Sequence, residues 1–183
     1  MLLVDIDHVL LPWDDHYTNP YKGFGDWKKV SERYFSRISA EQLELVNEKF
    51  PDILWHTTWS LEDMANERFC PRTGFSVREN LHTLVSSIPV STLPPSVRKN
   101  LRDAYWWKLD DVAKWLDIKM PGRIVWADDH LLNFRDRVER VLDHYGVRDD
   151  FLLVAPRDGW TRDSINEAAD WLKSDKPGGF VKC

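Results

Sequence analysis

Short apolar runs separated by longer amphipathic stretches set the rhythm of this chain. Leu2, Leu3, Val4 and Ile6 form the first run and Asp52 to Thr57 the second, while Arg123 to Ala127 and Phe151 to Ala155 supply two more. Near-continuous apolar runs of this length predict strands buried on both faces. The stretches between them read as helices. Ser39 caps one, with Gln42 completing a capping-box pattern, Leu43, Val46 and Phe50 on one face and Pro51 as its stop. Further helices are expected over 60–69 and 109–116. Phe134, Val138, Val141, Leu142 and Tyr145 recur at helical spacing before Gly146, and Thr161 opens a last helix facing inward through Ile165, Ala168, Ala169 and Leu172. Residues 11–37, rich in aromatics and turn formers, read as a flap or hairpin insertion. Residues 70–105 are broken by Gly74, Pro89, Pro94 and Pro95, and a strand is expected within His82 to Val90. Residues 174–183, containing Pro177, Gly178 and Gly179, read as a flexible C-terminal tail, which leaves 1–173 as one domain. Strands alternating with helices predict an α/β fold, a three-layer Rossmann-like parallel sheet.

Composition narrows the picture. A chain of 183 residues with 43% hydrophobic residues and ten tryptophans can bury a full core, which excludes a disordered chain. A formal net charge of -5 gives no general attraction to nucleic acid or to an anionic membrane. The apolar opening is too short for a signal peptide, and no stretch reaches the length of a membrane span. Two cysteines, Cys70 and Cys183, make neither a disulfide framework nor a zinc site, so a cytoplasmic setting is expected.

The chemistry lies where the apolar runs stop. Asp5 and Asp7 point the same way at the end of the first strand, Thr57 and Thr58 follow the second, and Asp128 and Asp129 follow the Trp126 strand. In an open parallel sheet these carboxyl ends frame the ligand crevice. Carboxylates gathered there repel one another, a single pair at about 4 Å by about 4 kcal/mol at an effective dielectric near 20. Oxygen donors without a histidine or cysteine set suit a hard ion, and Mg2+ takes one or two carboxylates beside substrate phosphate. Taken alone, Thr57 also suits a strand end, Lys108 a solvated surface and Asp129 a helix cap. His8, His56 and His130 adjoin these positions at spacings that match no metal site, which assigns them to supporting or surface roles.

Asp5-Ile6-Asp7-His8-Val9-Leu10, then Trp55-His56-Thr57, then Lys108, then Trp126-Ala127-Asp128-Asp129 is an order that resembles the four motifs of the haloacid dehalogenase (HAD) superfamily. The flanking tryptophans and Gly159-Trp160-Thr161 are similar to small HAD domains found in RNA-repair proteins, and the likeness spans Met1 to about Leu172. The resemblance implies a Mg2+-dependent phosphatase. In it Asp5 is the nucleophile and Asp7 the general acid and base, Thr57 donates to a phosphoryl oxygen and Lys108 neutralises charge. Asp5, the main chain of Asp7, Asp128 and Asp129 would hold the metal, and Thr58 could replace Thr57 through a one-residue shift. Many relatives carry glycine where this chain has His8, which puts an imidazole against the substrate.

Only about fifty residues separate the early motifs, and core elements consume most of them. A large cap domain therefore has no room. The implied substrate is a phosphorylated small molecule or a nucleic-acid end, reached through an open site. Two other readings use the same residues. One is a HAD-like phosphate- or nucleotide-binding module without hydrolysis, favoured by His8. The other is a phosphorylation-dependent receiver domain, but there the paired acids come first, whereas here they follow the lysine.

Overall fold

The computed structural model describes residues 1–6, 9–10, 40–57, 78–102, 106–156 and 160–183. Within them β1 (Leu2–Val4), β2 (Ile53–Trp55), β3 (Ile124–Ala127), β4 (Phe151–Ala155) and β5 (Gly179–Lys182) form one sheet in the order β2-β1-β3-β4-β5. Every pairing is parallel. The helices are α1 (Ala40–Lys49), α2 (Leu81–Val85), α3 (Pro95–Arg102), α4 (Trp107–Ile118), α5 (Leu131–Tyr145) and α6 (Arg162–Leu172).

Strand period divides the core in two. Leu2 and Val4 join Val125, Ala127, Leu152 and Val154 on one face, under Leu43 and Val46 of α1 and Ile165 and Ala168 of α6. Leu3 joins Leu54, Ile124, Trp126 and Leu153 on the other, under α2 to α5 through residues such as Leu81, Val97, Val112 and Val138. The result is a three-layer α/β arrangement of the Rossmann-like kind, and each central strand is apolar along its length because both of its faces are covered. Helix ends follow local chemistry. Gly146 takes φ 68°, and its N–H and that of Val147 close the end of α5 on the Asp143 and Leu142 carbonyls. Thr161 caps α6 by accepting from the Ser164 N–H. No helix among the described residues is long and apolar enough to cross a membrane.

Three expectations are corrected. The strand expected within His82 to Val90 is instead the short helix α2 followed by a 3-10 turn over Val90–Thr92. Asn80 accepts the His82 N–H at 3.0 Å and starts the helix, and Leu81 and Val85 bury one turn apart rather than in alternation. The expected flexible tail, 174–183, contains β5, which pairs with β4 from Leu152↔Gly179 to Ala155↔Lys182. Phe180 and Val181 pack on opposite faces of the sheet, and the Arg135 guanidinium lies 4.6 Å above the Phe180 ring. α4 also begins earlier, at Trp107, and ends later, at Ile118, than the 109–116 helix expected. The flap at 11–37 and the helix at 60–69 fall outside the described residues.

Gly178 makes β5 possible. Its N–H donates to the Asp149 carbonyl at 2.6 Å, and a Cβ built there would meet the Phe151 and Arg148 carbonyl oxygens, which are main chain and have little freedom to move. Gly178→Ala is expected to lower unfolding stability by about 1–3 kcal/mol, with amide-exchange protection lost first along β5. Unchanged β5 protection in the variant would contradict this packing.

Candidate functional site

Strand order reverses at β1: β2 lies on one side and β3 on the other. The carboxyl ends of β1 and β3 therefore border the crevice in which parallel sheets bind ligands. Register carries the acids there. Val4 pairs with Ala127, so Asp5 and Asp128 are the next residues on neighbouring strands. Their backbones are pinned, Asp5 N–H to the Ala127 carbonyl at 3.0 Å and Asp128 N–H to the Val154 carbonyl at 3.0 Å. Both follow the parity of Leu3 and Trp126, which turns them toward the layer that contains α4.

The first turn of α4 delivers Lys108 to this point. Its Nζ lies 2.5 Å from Asp5 Oδ2 and 2.6 Å from Asp128 Oδ2, and all three side chains are buried. Asp5 Oδ1 accepts the Ile6 N–H at 2.8 Å, and Asp128 Oδ1 accepts the His130 N–H at 2.9 Å in the turn that leads into α5. Each carboxylate thus has one oxygen on a backbone donor and the other on the ammonium. Burial disfavours the Lys108 charge, yet Asp128 and Asp5 outweigh it and raise its pKa above the ordinary lysine value. Burial pushes the Asp128 carboxyl up to about 6, with Asp5 and Asp129 adding to the rise and Lys108 opposing it. One ammonium thus faces two carboxylates, and the set carries net negative charge whenever both are ionised. Removing the ammonium would strand two buried anions, a loss of the class that costs about 3–5 kcal/mol.

Thr57 is buried two residues beyond the Val4↔Trp55 pair, at the carboxyl end of β2, with its carbonyl accepting from Asn80 Nδ2 at 3.5 Å. Asp129 follows Asp128 and takes the His130 ring, with Oδ1 2.8 Å from Nδ1. Asp7, His8 and Thr58 lie outside the described residues. Of the expected site residues, Asp5, Lys108 and Asp128 are therefore brought into direct contact, with Asp129 alongside.

Two histidines contribute more than their spacing suggested. Asp128, Asp129 and His130 each offer a ligand atom, and these atoms all lie within 4.8 Å of one another. His130 is drawn above the usual histidine pKa by its hydrogen bond to Asp129. The signal in the sequence was a histidine directly after the paired acids at a helix start. His56 is fully buried between Trp107, at 5.4 Å and 79°, and Trp126, at 5.7 Å and 43°; among the described residues neither ring nitrogen has a hydrogen-bond partner, and Asp111 Oδ2 stands 3.9 Å from Nε2. Burial, then the charges of Lys108 and His82, hold its pKa well below the ordinary value, so it stays neutral. Nothing in the local sequence marks such a residue, because its isolation exists only in three dimensions.

Comparison of the chain with protein-family models, with curated proteins and with solved structures finds no match.

A buried neutral histidine makes stability depend on acid. The unfolded chain takes up a proton at this position below about pH 6.5 while the folded chain does so only at lower pH, so stability is complete above that value and falls as pH drops through it. In His56→Phe the acid-side decline in unfolding free energy is expected to be shallower, by as much as about 1.4 kcal/mol per pH unit. Parallel stability curves for the two proteins between pH 7 and 5 would refute this assignment.

Proposed function

We propose that the chain is a Mg2+-dependent phosphomonoesterase of the HAD type, working through an aspartyl-phosphate on Asp5. The observation that carries this reading is the pair of buried carboxylates, Asp5 and Asp128, held on one Lys108 ammonium at the switch point of a parallel sheet. A crevice built this way has a nucleophile, a cation for developing charge and an excess of negative charge that a divalent ion would neutralise.

The donor set fits such an ion. Asp5 and Asp128 offer hard carboxylate oxygens, the ligands Mg2+ favours, and Asp129 adjoins them. The resemblance adds the Asp7 main-chain carbonyl. When bound, Mg2+ supplies charge neutralisation between the nucleophile and the phosphoryl oxygens. The residues supply the rest. An Asp5 oxygen forms a bond to phosphorus as the ester P–O bond breaks, and the leaving alkoxide takes a proton from Asp7. Asp7 then removes a proton from the water that cleaves the aspartyl-phosphate, which returns Asp5 as a carboxylate. Lys108 holds Asp5 in place and balances the charge of the transferring group, with Thr57 donating to one of its oxygens. Need for an acid at Asp7 favours phosphate esters over halides, since a halide leaves without a proton. The substrate class proposed is a phosphate monoester on a small molecule or at a nucleic-acid end, handled in the cytoplasm.

The second reading, a phosphate-binding module without hydrolysis, draws on His8 standing where relatives carry glycine. Turnover of p-nitrophenyl phosphate separates the two. Hydrolysis is expected with Mg2+, absent with chelator, and reduced more than about a thousandfold in Asp5→Asn of unchanged circular dichroism. Mg2+ binding without turnover would leave the binding module, and full activity in Asp5→Asn would remove the proposed nucleophile.

A further inference from the structure

Aromatic rings pack beside Asp128. Trp126 on β3 lies parallel to Trp106, the residue that precedes α4, with ring centroids 5.4 Å apart and an interplanar angle of 4°. Phe134 on α5 continues the stack from Trp106 at 4.8 Å and 10°, and His130 does so at 6.4 Å and 29°. The stack thus runs from Trp126, which is wholly buried, to His130, whose side chain is 50% exposed. The row ends in a half-exposed ring that adjoins both Asp128 and Asp129.

His130 is also held still. Its N–H donates to Asp128 Oδ1 at 2.9 Å, its Nδ1 lies 2.8 Å from Asp129 Oδ1, and Trp106 backs it. Nδ1 is engaged by a carboxylate, and a second carboxylate oxygen, Asp128 Oδ1, stands 3.7 Å away. A further anion, such as a second phosphate group, would meet these acids first. What remains on offer is a flat, fixed surface beside the residue that borders the reacting phosphoryl group.

Resting on the phosphatase reading above, we infer that His130, backed by Trp106, is a stacking shelf that selects phosphate esters whose alcohol carries a planar aromatic group. The substrate would bring its phosphoryl group against Asp5, on the side away from the Lys108 contact, and lay its ring on the imidazole. Sequence-tolerant stacking of this kind requires a π-face and no defined hydrogen-bond pattern, so the shelf discriminates by ring against no ring.

Adenosine 5′-monophosphate and ribose 5-phosphate test the shelf directly, because both are primary esters of the same sugar and differ by the base. With the full chain and Mg2+, kcat/KM is expected to favour the nucleotide, mainly through KM. His130→Ala should reduce that preference roughly five- to hundredfold, and His130→Phe, which restores a flat ring, should recover most of it. A merely structural role would lower both substrates together and leave the ratio unchanged, which overturns the shelf, as does equal use of both by the unmodified protein. If neither ester nor p-nitrophenyl phosphate is hydrolysed, the phosphatase reading fails and tryptophan fluorescence titration with the same two compounds decides the shelf. Saturable nucleotide binding at least about fivefold weaker in His130→Ala supports it, whereas absent binding, or equal binding of the two compounds, overturns it.

Discussion

Two carboxylates that share one buried ammonium are the constraint around which this structure is arranged. Asp5 and Asp128 come from positions far apart in the chain, and each would be costly to bury as an anion on its own. Lys108 offsets much of that cost with contacts of 2.5 and 2.6 Å, and the Ile6 and His130 amides engage the remaining oxygens. Two carboxylates against one ammonium is the feature on which the proposed divalent-ion site rests.

The fold makes this contact through register. β1 and β3 are neighbours, although β2 and four helices intervene in sequence among the described residues. Pairing of Val4 with Ala127 aligns the acids, and their shared parity with Leu3 and Trp126 turns both toward α4. A slip by one residue would send one of the two carboxylates to the opposite face. Trp106 stacked on Trp126, and Trp107 against His56, then hold the start of α4 over the sheet, so the lysine arrives from a packed element whose position is set by aromatic contacts. Chemistry and core are therefore coupled: the tryptophans that fill this face also aim the ammonium.

Much of the layout was legible because buried parallel strands declare themselves as apolar runs, and β1 and β3 each stop at an aspartate while β4 stops at Pro156. β5 escaped notice because glycines and charged residues surround its two apolar positions, Phe180 and Val181, and its pairing depends on the close approach that Gly178 allows. α2 was hidden by brevity, since Leu81 and Val85 supply a single helical repeat. At the site, strand ends pointed to Asp5 and Asp128 on physical grounds. Lys108 was singled out only by its order among the motifs, because a lysine on a helix ordinarily faces water. His130 and His56 were assigned supporting or surface roles because spacing in sequence says nothing about an aromatic stack or about a buried ring whose nitrogens have no hydrogen bond among the described residues.

The central claim is that the Asp5–Lys108–Asp128 cluster is a receptor for a divalent ion and a phosphoryl group. A crystal structure of the protein soaked with Mg2+ and beryllium fluoride tests it most directly, since both mimics are seen at once. The account predicts a Mg2+ ion on carboxylate oxygens of Asp5 and Asp128, with trifluoroberyllate attached to the other Asp5 oxygen within reach of Lys108. Density for neither species at these carboxylates, with the Lys108 contacts unchanged at full soaking concentration, would contradict it.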